Sequence, residues 1–137
     1  TPGAIAYLEQ TYVSEAKLPF AQVQNVANQW IDADLKSITI AANNSMHNLP
    51  ADLRASITDA PGEGSYPISS YTFFLVYQQQ SDGAKAAAIR DFLRWMLHDG
   101  QSYAAKLHYA PLPGAIIQRE EAQIDLLAAQ RAASNSR

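Results

Sequence analysis

Apolar and polar residues follow one another along the first part of the chain in a pattern that predicts a strand, a short helix and a hairpin. Residues 4–8 are an apolar run typical of an interior strand, and residues 9–17 are a mixed segment typical of a short helix. Pro19 ends that helix, because a proline disfavours the helical conformation of the residue before it. Residues 20–25 alternate apolar and polar side chains as a half-buried strand does, and residues 28–31 can pair back on them.

A second helix is predicted to follow Asp34, because an aspartate side chain readily caps the free N–H groups of a first helical turn. This helix is expected to end near residues 43–44, and Leu53 and Ile57 predict one further helical turn. The apolar face of the helix consists of Leu35, Ile38, Ala41 and Ala42.

Residues 59–64 are the strongest turn signal in the chain, since they include one proline, two glycines and an aspartate. Residues 65–77 follow and are rich in aromatic and β-branched side chains, which suit a strand. Their only proline, Pro67, lies near the start, where a strand tolerates it. We therefore expect a boundary between two halves of the chain near residue 66, and a long strand that crosses from one half to the other.

An amphipathic helix is predicted after this strand. Ser81 or Asp82 can cap its start, and Gly100 is the expected stop, since glycine is common just beyond helix ends. Its apolar residues recur at helical spacing. They are Ile89, Phe92, Leu93, Met96 and Leu97.

The remaining chain is predicted to be helical apart from a proline-rich break. A short helix is expected over residues 101–107, and Pro113 can begin a last helix that frays over residues 132–137. The inward residues of this last helix are Ile116, Ile117, Ile124 and Leu127. The order of strands and helices indicates the α/β class, with helices packed on a mixed sheet.

Composition indicates a globular domain. Hydrophobic residues make up 47% of the chain and charged residues 17%, and no apolar run reaches the roughly 20 residues that span a bilayer. The net charge is −3 and the basic residues are not clustered, so no nucleic-acid partner is expected. The lack of cysteine excludes disulfides and thiolate metal sites. Because the sequence begins at Thr1 without a signal segment, we expect a fragment of a longer chain.

No catalytic, metal-binding or cofactor-binding residue is predicted. His47, His98 and His108 lack the spacing of a helical zinc site, and His98 is better explained as a residue that interacts with a helix dipole. The sequence contains neither a nucleophile elbow nor a glycine-rich phosphate loop, so residues 62–65 are interpreted as a linker. We therefore do not expect an enzyme.

Side chains of the predicted long strand are given structural roles. The hydroxyls of Ser69, Ser70 and Thr72 are expected to bond local backbone groups or solvent. The aromatic residues on and after the strand are expected in the core rather than in a stacking platform, because no basic residues lie between them. They are Tyr71, Phe73, Phe74, Tyr77, Phe92 and Trp95.

Four blocks of the sequence, in the same order, resemble segments of one known family. The blocks are Pro2–Glu9 (PGAIAYLE), Tyr66–Tyr77 (YPISSYTFFLVY), Phe92–Trp95 (FLRW) with Gly100–Gln101, and Leu107–Pro113 (LHYAPLP). They resemble the PstS family, the periplasmic phosphate-binding proteins of bacterial ABC transporters, with Ala6 where that family usually has glycine.

The resemblance implies the C-terminal portion of a two-lobe, type II periplasmic binding protein fold. Residues 1–66 would end the second lobe, and residues 67–137 would form the crossover strand and the C-terminal helices of the first lobe. The hinge residues that it implies are Tyr7, Pro67, Ile68 and Ser69. Such lobes close on inorganic phosphate and deliver it to a membrane permease. The implied location is periplasmic or exported, with membrane anchoring outside the cytoplasm as a further option.

The family's anion-contacting loops lie upstream of the matched blocks, so the resemblance assigns no phosphate ligand to any residue of this chain. Phosphate binding is expected only when the missing N-terminal portion is supplied. The alternative is a self-associating structural or interaction domain, in which a second copy of the chain covers surfaces left bare.

Overall fold

The computed structural model describes residues 3–129, which form five α-helices and four short strands. In chain order these are α1 (Gln10–Glu15), β1 (Val23–Gln24), β2 (Trp30–Ile31), α2 (Leu35–Asn44), β3 (Gln79–Gln80), α3 (Gly83–Leu97), α4 (Gln101–Ala104), α5 (Gly114–Ile124) and β4 (Ala128–Ala129). Two 3₁₀ turns, Met46–Asn48 and Ala105–Leu107, follow α2 and α4.

The predicted first helix and hairpin are confirmed. Helix α1 lies within the predicted residues 9–17, and β1 pairs antiparallel with β2. The hairpin turn is closed by the N–H of Asn28, which donates to the carbonyl of Asn25 at 2.9 Å. Asn28 has a φ of 58°, a left-handed conformation that asparagine tolerates better than most residues.

Helix α2 begins and ends where the sequence predicts because its N-terminal cap is encoded locally. The carboxylate of Asp34 accepts the N–H of Ser37 at 2.7 Å, and the hydroxyl of Ser37 accepts the N–H of Asp34 at 3.2 Å. This reciprocal pair is a capping box, which satisfies two backbone donors that would otherwise lack partners.

The helical turn predicted at Leu53 and Ile57 is wrong. Leu53 has a φ of 60°, which a right-handed helix cannot contain, and residues 53–57 follow an irregular path. Both side chains are nevertheless buried, and they pack with Ile116 of α5. Their apolar character therefore marks the core rather than a helix.

Asp82 caps α3, as predicted, by accepting the N–H of Ala84 at 2.8 Å. The helix ends at Leu97, three residues before the predicted stop at Gly100. Gly100 folds back onto the helix end, where its N–H donates to the carbonyl of Trp95 at 2.8 Å. A Cβ at this position would lie 2.9 Å from the carbonyl oxygen of Trp95, so the close approach is what favours glycine.

The C-terminal helices are also confirmed. Helix α4 and its 3₁₀ turn cover the predicted residues 101–107, and Pro113 precedes the first residue of α5. Ile116, Ile124 and Leu127 are buried, as predicted. The predicted fraying of residues 132–137 lies outside the described residues.

Two small cores share the last helix. The first contains Ala42, Leu49, Leu53, Ile57 and Ile116, and the second contains Leu97, Ile124 and Leu127. Leu112 packs against both cores. Helix α5 therefore packs on one side against α2 and residues 49–57, and on the other side against α3.

The mixed sheet expected beneath the helices is not formed within residues 3–129. β3 pairs in parallel with β4, and the two-stranded ladders β1–β2 and β3–β4 are separate. Neither residues 4–8 nor residues 65–77 form a strand, so both strand predictions are wrong for the described part of the chain. A strand requires a neighbouring strand with which to exchange backbone hydrogen bonds, and no strand pairs with either segment among residues 3–129.

The described residues thus mix helices and short strands, and the helices dominate. The boundary predicted near residue 66 stays a prediction. Within residues 3–129, no helix is both long enough and apolar enough to cross a membrane.

Candidate functional site around residues 65–77

The side chains change from mainly buried to mainly exposed at Pro67, Ile68 and Ser69. The carbonyl of Pro67 accepts the N–H of Asp59 at 2.7 Å, and the hydroxyl of Ser69 donates to the carbonyl of Tyr66 at 2.8 Å. Pro67 and Ser69 are buried, whereas the side chain of Ile68 is 68% exposed. Three of the four predicted hinge residues therefore sit together and are anchored through polar contacts.

Tyr7, the fourth predicted hinge residue, is not brought to the other three. It lies in the extended residues 4–9, and its side chain is 98% exposed. A side chain with so much surface in water has no packing contact with the buried Pro67 and Ser69. Tyr7 is therefore separate from the three predicted hinge residues at positions 67–69.

The base of the 65–77 segment is held by a polar network that we call the Asn25 clasp, formed by Asn25, Gln29, Asn44 and Ser65. The buried amide of Asn25 accepts the N–H groups of Ala27 and Gln29 at 3.0 Å each. The same amide donates to the carbonyl of Ser65 at 3.1 Å. The tip of the hairpin is thereby fixed to the start of the segment.

The rest of the clasp fixes the loop that precedes Ser65. The hydroxyl of Ser65 donates to the carbonyl of Pro61 and accepts from the amide of Asn44, both at 2.9 Å. The amide oxygen of Gln29 accepts the N–H of Gly64 at 2.9 Å. Gly62 has a φ of 89°, and a Cβ there would lie 2.7 Å from Nδ2 of Asn44, so only glycine fits.

Sequence reasoning missed this clasp. An asparagine directly before a turn is typical of a side chain that bonds backbone groups two residues on, and Asn25 does so. Its contact with Ser65, forty positions away, carries no local signal. The predicted local roles of Ser69 and Ser70 are confirmed, since both hydroxyls donate to nearby backbone carbonyls.

Most aromatic side chains of this region are exposed, which contradicts their predicted place in the core. Tyr71 alone is half-buried and packs against the first core. The exposed ones are Phe73, Phe74, Tyr77, Phe92 and Trp95. The prediction failed because the face of α3 that carries Phe92 and Trp95 is only partly covered by its neighbours among residues 3–129.

Four of these exposed rings form a continuous row that we call the aromatic ledge: Phe74, Phe92, Trp95 and Tyr103. The successive ring centroids lie 6.4, 6.1 and 6.1 Å apart, within the range of favourable aromatic pairs. The ammonium group of Lys106 lies 5.7 Å from the centroid of the last ring. The ledge therefore runs from the 65–77 segment across α3 to α4.

A cavity of about 500 Å³ lies between residues 71–76 and helices α3 and α5. Its walls are mainly apolar, but Glu120 and the phenol of Tyr71 also line it. Burial raises the pKa of Glu120 and that of Tyr71. The hydroxyl of Tyr71 is buried and has no hydrogen-bond partner among the described residues. The extended segment thus lies over the helices without filling the space beneath it.

The arginines of the described residues already have partners. Within residues 3–129, each arginine donates to a carboxylate or a backbone carbonyl. The pairs are Arg54 with Asp52, Arg90 with Leu127, Arg94 with Asp125 and Arg119 with Leu49. The N-termini of α2 and α3 carry the carboxylates of Asp34 and Asp82, which would repel a second anion.

The histidines are dispersed. Nε2 of His98 lies 2.7 Å from a carboxylate oxygen of Glu121, so its ring links α3 to α5. His98 also occupies the C-terminal cap of α3, the end at which the sequence predicted a role. In the described part of the chain, no group of three metal-ligating side chains comes together.

No protein-family model matches the chain, but comparison with individual known proteins finds relatives that share one name. The phosphate-binding protein PstS of Xylella fastidiosa is 37% identical over 120 residues, which are 88% of this chain and 33% of that protein. Over this stretch, the chain is homologous to PstS proteins. The resemblance stated from the sequence is therefore confirmed.

Other PstS proteins agree with this relationship. That of Methanocaldococcus jannaschii is 36% identical over 112 residues, which are 74% of this chain and 28% of the relative. That of Pasteurella multocida is 29% identical over 120 residues, which are 88% of this chain and 35% of the relative. The chain thus spans about a third of the length of the curated PstS relatives that it matches.

Proposed function

We propose that this chain is the C-terminal portion of the phosphate-binding component of a bacterial ABC-type phosphate uptake system. The complete protein would be a periplasmic or exported binding protein of two lobes, with no catalytic activity. It would capture inorganic phosphate between the lobes and deliver it to a membrane permease. Residues 1–66 would end the second lobe, and residues 67–137 would return to the first.

The observation that carries this proposal is the similarity to PstS along 88% of the chain, since the relatives are named as phosphate-binding proteins. We further propose that the phosphate contacts lie in the portion of a PstS-like protein that this chain does not match. The paired arginines and the acidic caps of α2 and α3 support this part of the proposal.

Domain closure would bend the chain next to the Asn25 clasp. The clasp fixes Ser65, and the contact between Asp59 and the carbonyl of Pro67 fixes the next residues. Residues 70–77 form no backbone–backbone hydrogen bond with the other described residues. We propose that Pro67, Ile68 and Ser69 form the bending point on this crossing, and that the exposed residues around Tyr7 form the other.

Isothermal titration calorimetry with inorganic phosphate tests the proposal. We expect no micromolar binding by the 137-residue chain alone, and micromolar or tighter binding by the longer polypeptide that contains it. Sulfate serves as the control anion. Micromolar phosphate binding by the 137-residue chain, or none by the longer polypeptide, would contradict the proposal.

A self-associating domain is the second candidate, because large apolar side chains are exposed along residues 73–77 and on the aromatic ledge. Apolar patches of this kind often mark interfaces. Size-exclusion chromatography with light scattering on the 137-residue chain distinguishes the two candidates. A compact dimer that forms without phosphate favours self-association, and a monomer favours the transport component.

A further inference from the structure

Helix α5 contacts both halves of the chain, that is, the residues before and after the boundary predicted near residue 66. On one side, Ile116 is 3% exposed and lies in the same buried cluster as Leu53. On the other side, Ile124 is buried with Leu97 of α3. The helix therefore belongs to the packing of both halves.

Helix α5 is joined to α3 by ion pairs and by the strand that follows it. The carboxylates of Glu121 and Asp125 lie 2.7 Å from the ring of His98 and the guanidinium group of Arg94. Strand β4, just after α5, pairs in parallel with β3, just before α3. Helix α5 thus forms one unit with α3, and its contact with residues 49–57 is a contact between the two halves.

Three successive carbonyl groups accept hydrogen bonds from two side chains of α5, a set that we call the α5 latch. The guanidinium group of Arg119 donates to the carbonyls of Leu49 and Pro50 at 2.9 and 2.8 Å. The amide of Gln123 donates to the carbonyl of Ala51 at 3.1 Å. Side chains four positions apart share one helix face, so both reach the same turn of the chain. The bonds from the charged guanidinium group are the stronger ones.

Few other polar contacts join the two halves. Among the described residues, four hydrogen bonds connect residues up to 66 with residues beyond 69, and the α5 latch supplies three of them. The fourth runs from the hydroxyl of Thr11 to the carbonyl of Leu107 at 3.3 Å. Within residues 3–129, no ion pair crosses the boundary. Hydrogen bonding between the halves is thus concentrated on one helix.

This contact limits how one half can move relative to the other. Pulling Ile116 out of its cluster would expose buried apolar surface, and the cost in free energy grows with the area exposed. Residues 70–77, in contrast, form no backbone–backbone hydrogen bond with the other described residues and resist bending less. The least costly motion therefore keeps the α5 contact and moves the parts that lie farther from it.

We propose that α5 is the pivot of lobe closure and that Arg119 is a positioning residue, which holds residues 49–51 on α5 while the lobes open and close. This inference rests on the proposed function, in which residues 1–66 and residues 67–137 belong to different lobes. Packed helices accommodate such motion by small sliding movements. The role of Arg119 is to restrict the open form to a narrow range of geometries, from which phosphate is captured.

Distances between two spin labels on the longer polypeptide test the pivot. Lys36→Cys in α2 and Asp91→Cys in α3 provide exposed labelling sites in the two halves, in a background without other cysteines. Without phosphate, we expect one narrow distance distribution for the labelled parent. We expect a distribution at least about twofold broader for Arg119→Ala, because the crossing segments alone then limit the motion. With saturating phosphate the two distributions should coincide, since the ligand selects the closed form.

Phosphate affinity gives a second readout. Arg119→Ala should weaken phosphate binding about 2- to 10-fold in the longer polypeptide, because a smaller fraction of the open molecules has the geometry that binds. Arg119→Lys, which keeps the charge but loses the forked pair of donors, should lie between the parent and Arg119→Ala.

Arg54→Ala is the matched control, since it removes the same charged group from an arginine that pairs with Asp52 in its own half. Its distance distribution should have the width of the parent's. Gln123→Ala removes one of the three latch bonds from an exposed side chain and should broaden the distribution less than Arg119→Ala does. It decides the question if Arg119→Ala does not fold.

An unchanged width in Arg119→Ala and Gln123→Ala would overturn the inference, and so would equal broadening in Arg54→Ala. Phosphate calorimetry on the parent is a separate readout. A longer polypeptide that binds no phosphate, but whose distance distribution broadens in Arg119→Ala alone among the two arginine variants, would overturn the proposed ligand and leave the pivot standing.

Discussion

Two neighbouring stretches, residues 57–69 and residues 70–77, have opposite environments, although residues 65–69 and residues 70–77 belong to the same predicted strand. The first stretch contributes Ile57 to the core and exchanges hydrogen bonds with α2 and the hairpin. The second contributes mainly exposed side chains and no paired backbone among the described residues. The difference shows that residue type alone does not order a segment, because order depends on which neighbours the chain supplies.

The largest effect is expected from shortening Ile57, the most buried apolar side chain of residues 57–69. Ile57→Ala should lower the free energy of unfolding by about 2–5 kcal/mol, because Ile57 is only 1% exposed and its loss leaves a cavity. Ile68→Ala removes the same atoms from an exposed side chain and should change it by about 0.5 kcal/mol or less. Urea denaturation of both variants measures the difference. Equal losses would contradict the contrast between docked and exposed positions.

The Asn25 clasp is expected to contribute the next largest effect. Asn25→Ala leaves the N–H groups of Ala27 and Gln29 and the carbonyl of Ser65 without their partner, which should cost about 1–3 kcal/mol. Asn48→Ala, at an exposed position, is the matched control. If the clasp anchors the segment, hydrogen exchange in residues 62–66 should also accelerate in Asn25→Ala and stay unchanged in the control.

Helices were predictable from the sequence where their signals are local. Asp34 and Ser37 cap α2 from positions three apart, and Asp82 caps α3 from just before its first residue. The two strand predictions failed for the described residues because a strand depends on a distant neighbour. Leu53 and Ile57 show the same limit, since their apolar pattern predicted burial correctly but assigned it to a helix.

Part of the candidate site could likewise be predicted from the sequence, and part could not. Pro67 marked the start of the predicted crossing segment, and near it the chain changes from mainly buried to mainly exposed residues. The clasp could not be predicted, because Asn25 and Ser65 are forty positions apart in the sequence and their contact carries no local signal. The exposure of Phe92 and Trp95 could not be predicted either, since a helical pattern shows apolar faces but not what covers them.

The cap of α2 should have a smaller effect than the clasp. Asp34→Ala removes the acceptor for the N–H of Ser37 and should cost about 1 kcal/mol. Loss of this cap should also affect residues 57–69, because the carbonyl of Ser37 accepts the N–H of Tyr66 at 3.2 Å. Asp91→Ala, at an exposed position within α3, is the control. Thermal unfolding of the two variants checks the order of the effects.

The smallest effect is expected at Glu120, which lines the cavity beneath residues 71–76 of the exposed stretch. Burial raises the pKa of Glu120, so the folded state holds this proton more tightly than the unfolded state does. The carboxyl group therefore favours folding at pH values below its ordinary pKa, and that advantage is lost as the pH rises through the raised pKa. Glu120→Gln should match the parent chain near pH 4 and be slightly more stable at pH 7.

Glu63→Gln removes the same charge from an exposed loop and is the matched control. Urea denaturation at both pH values, with the parent chain and both variants, measures the effect. Equal stabilities of Glu120→Gln and the parent chain at pH 7 would contradict the burial of this carboxyl group beneath residues 71–76.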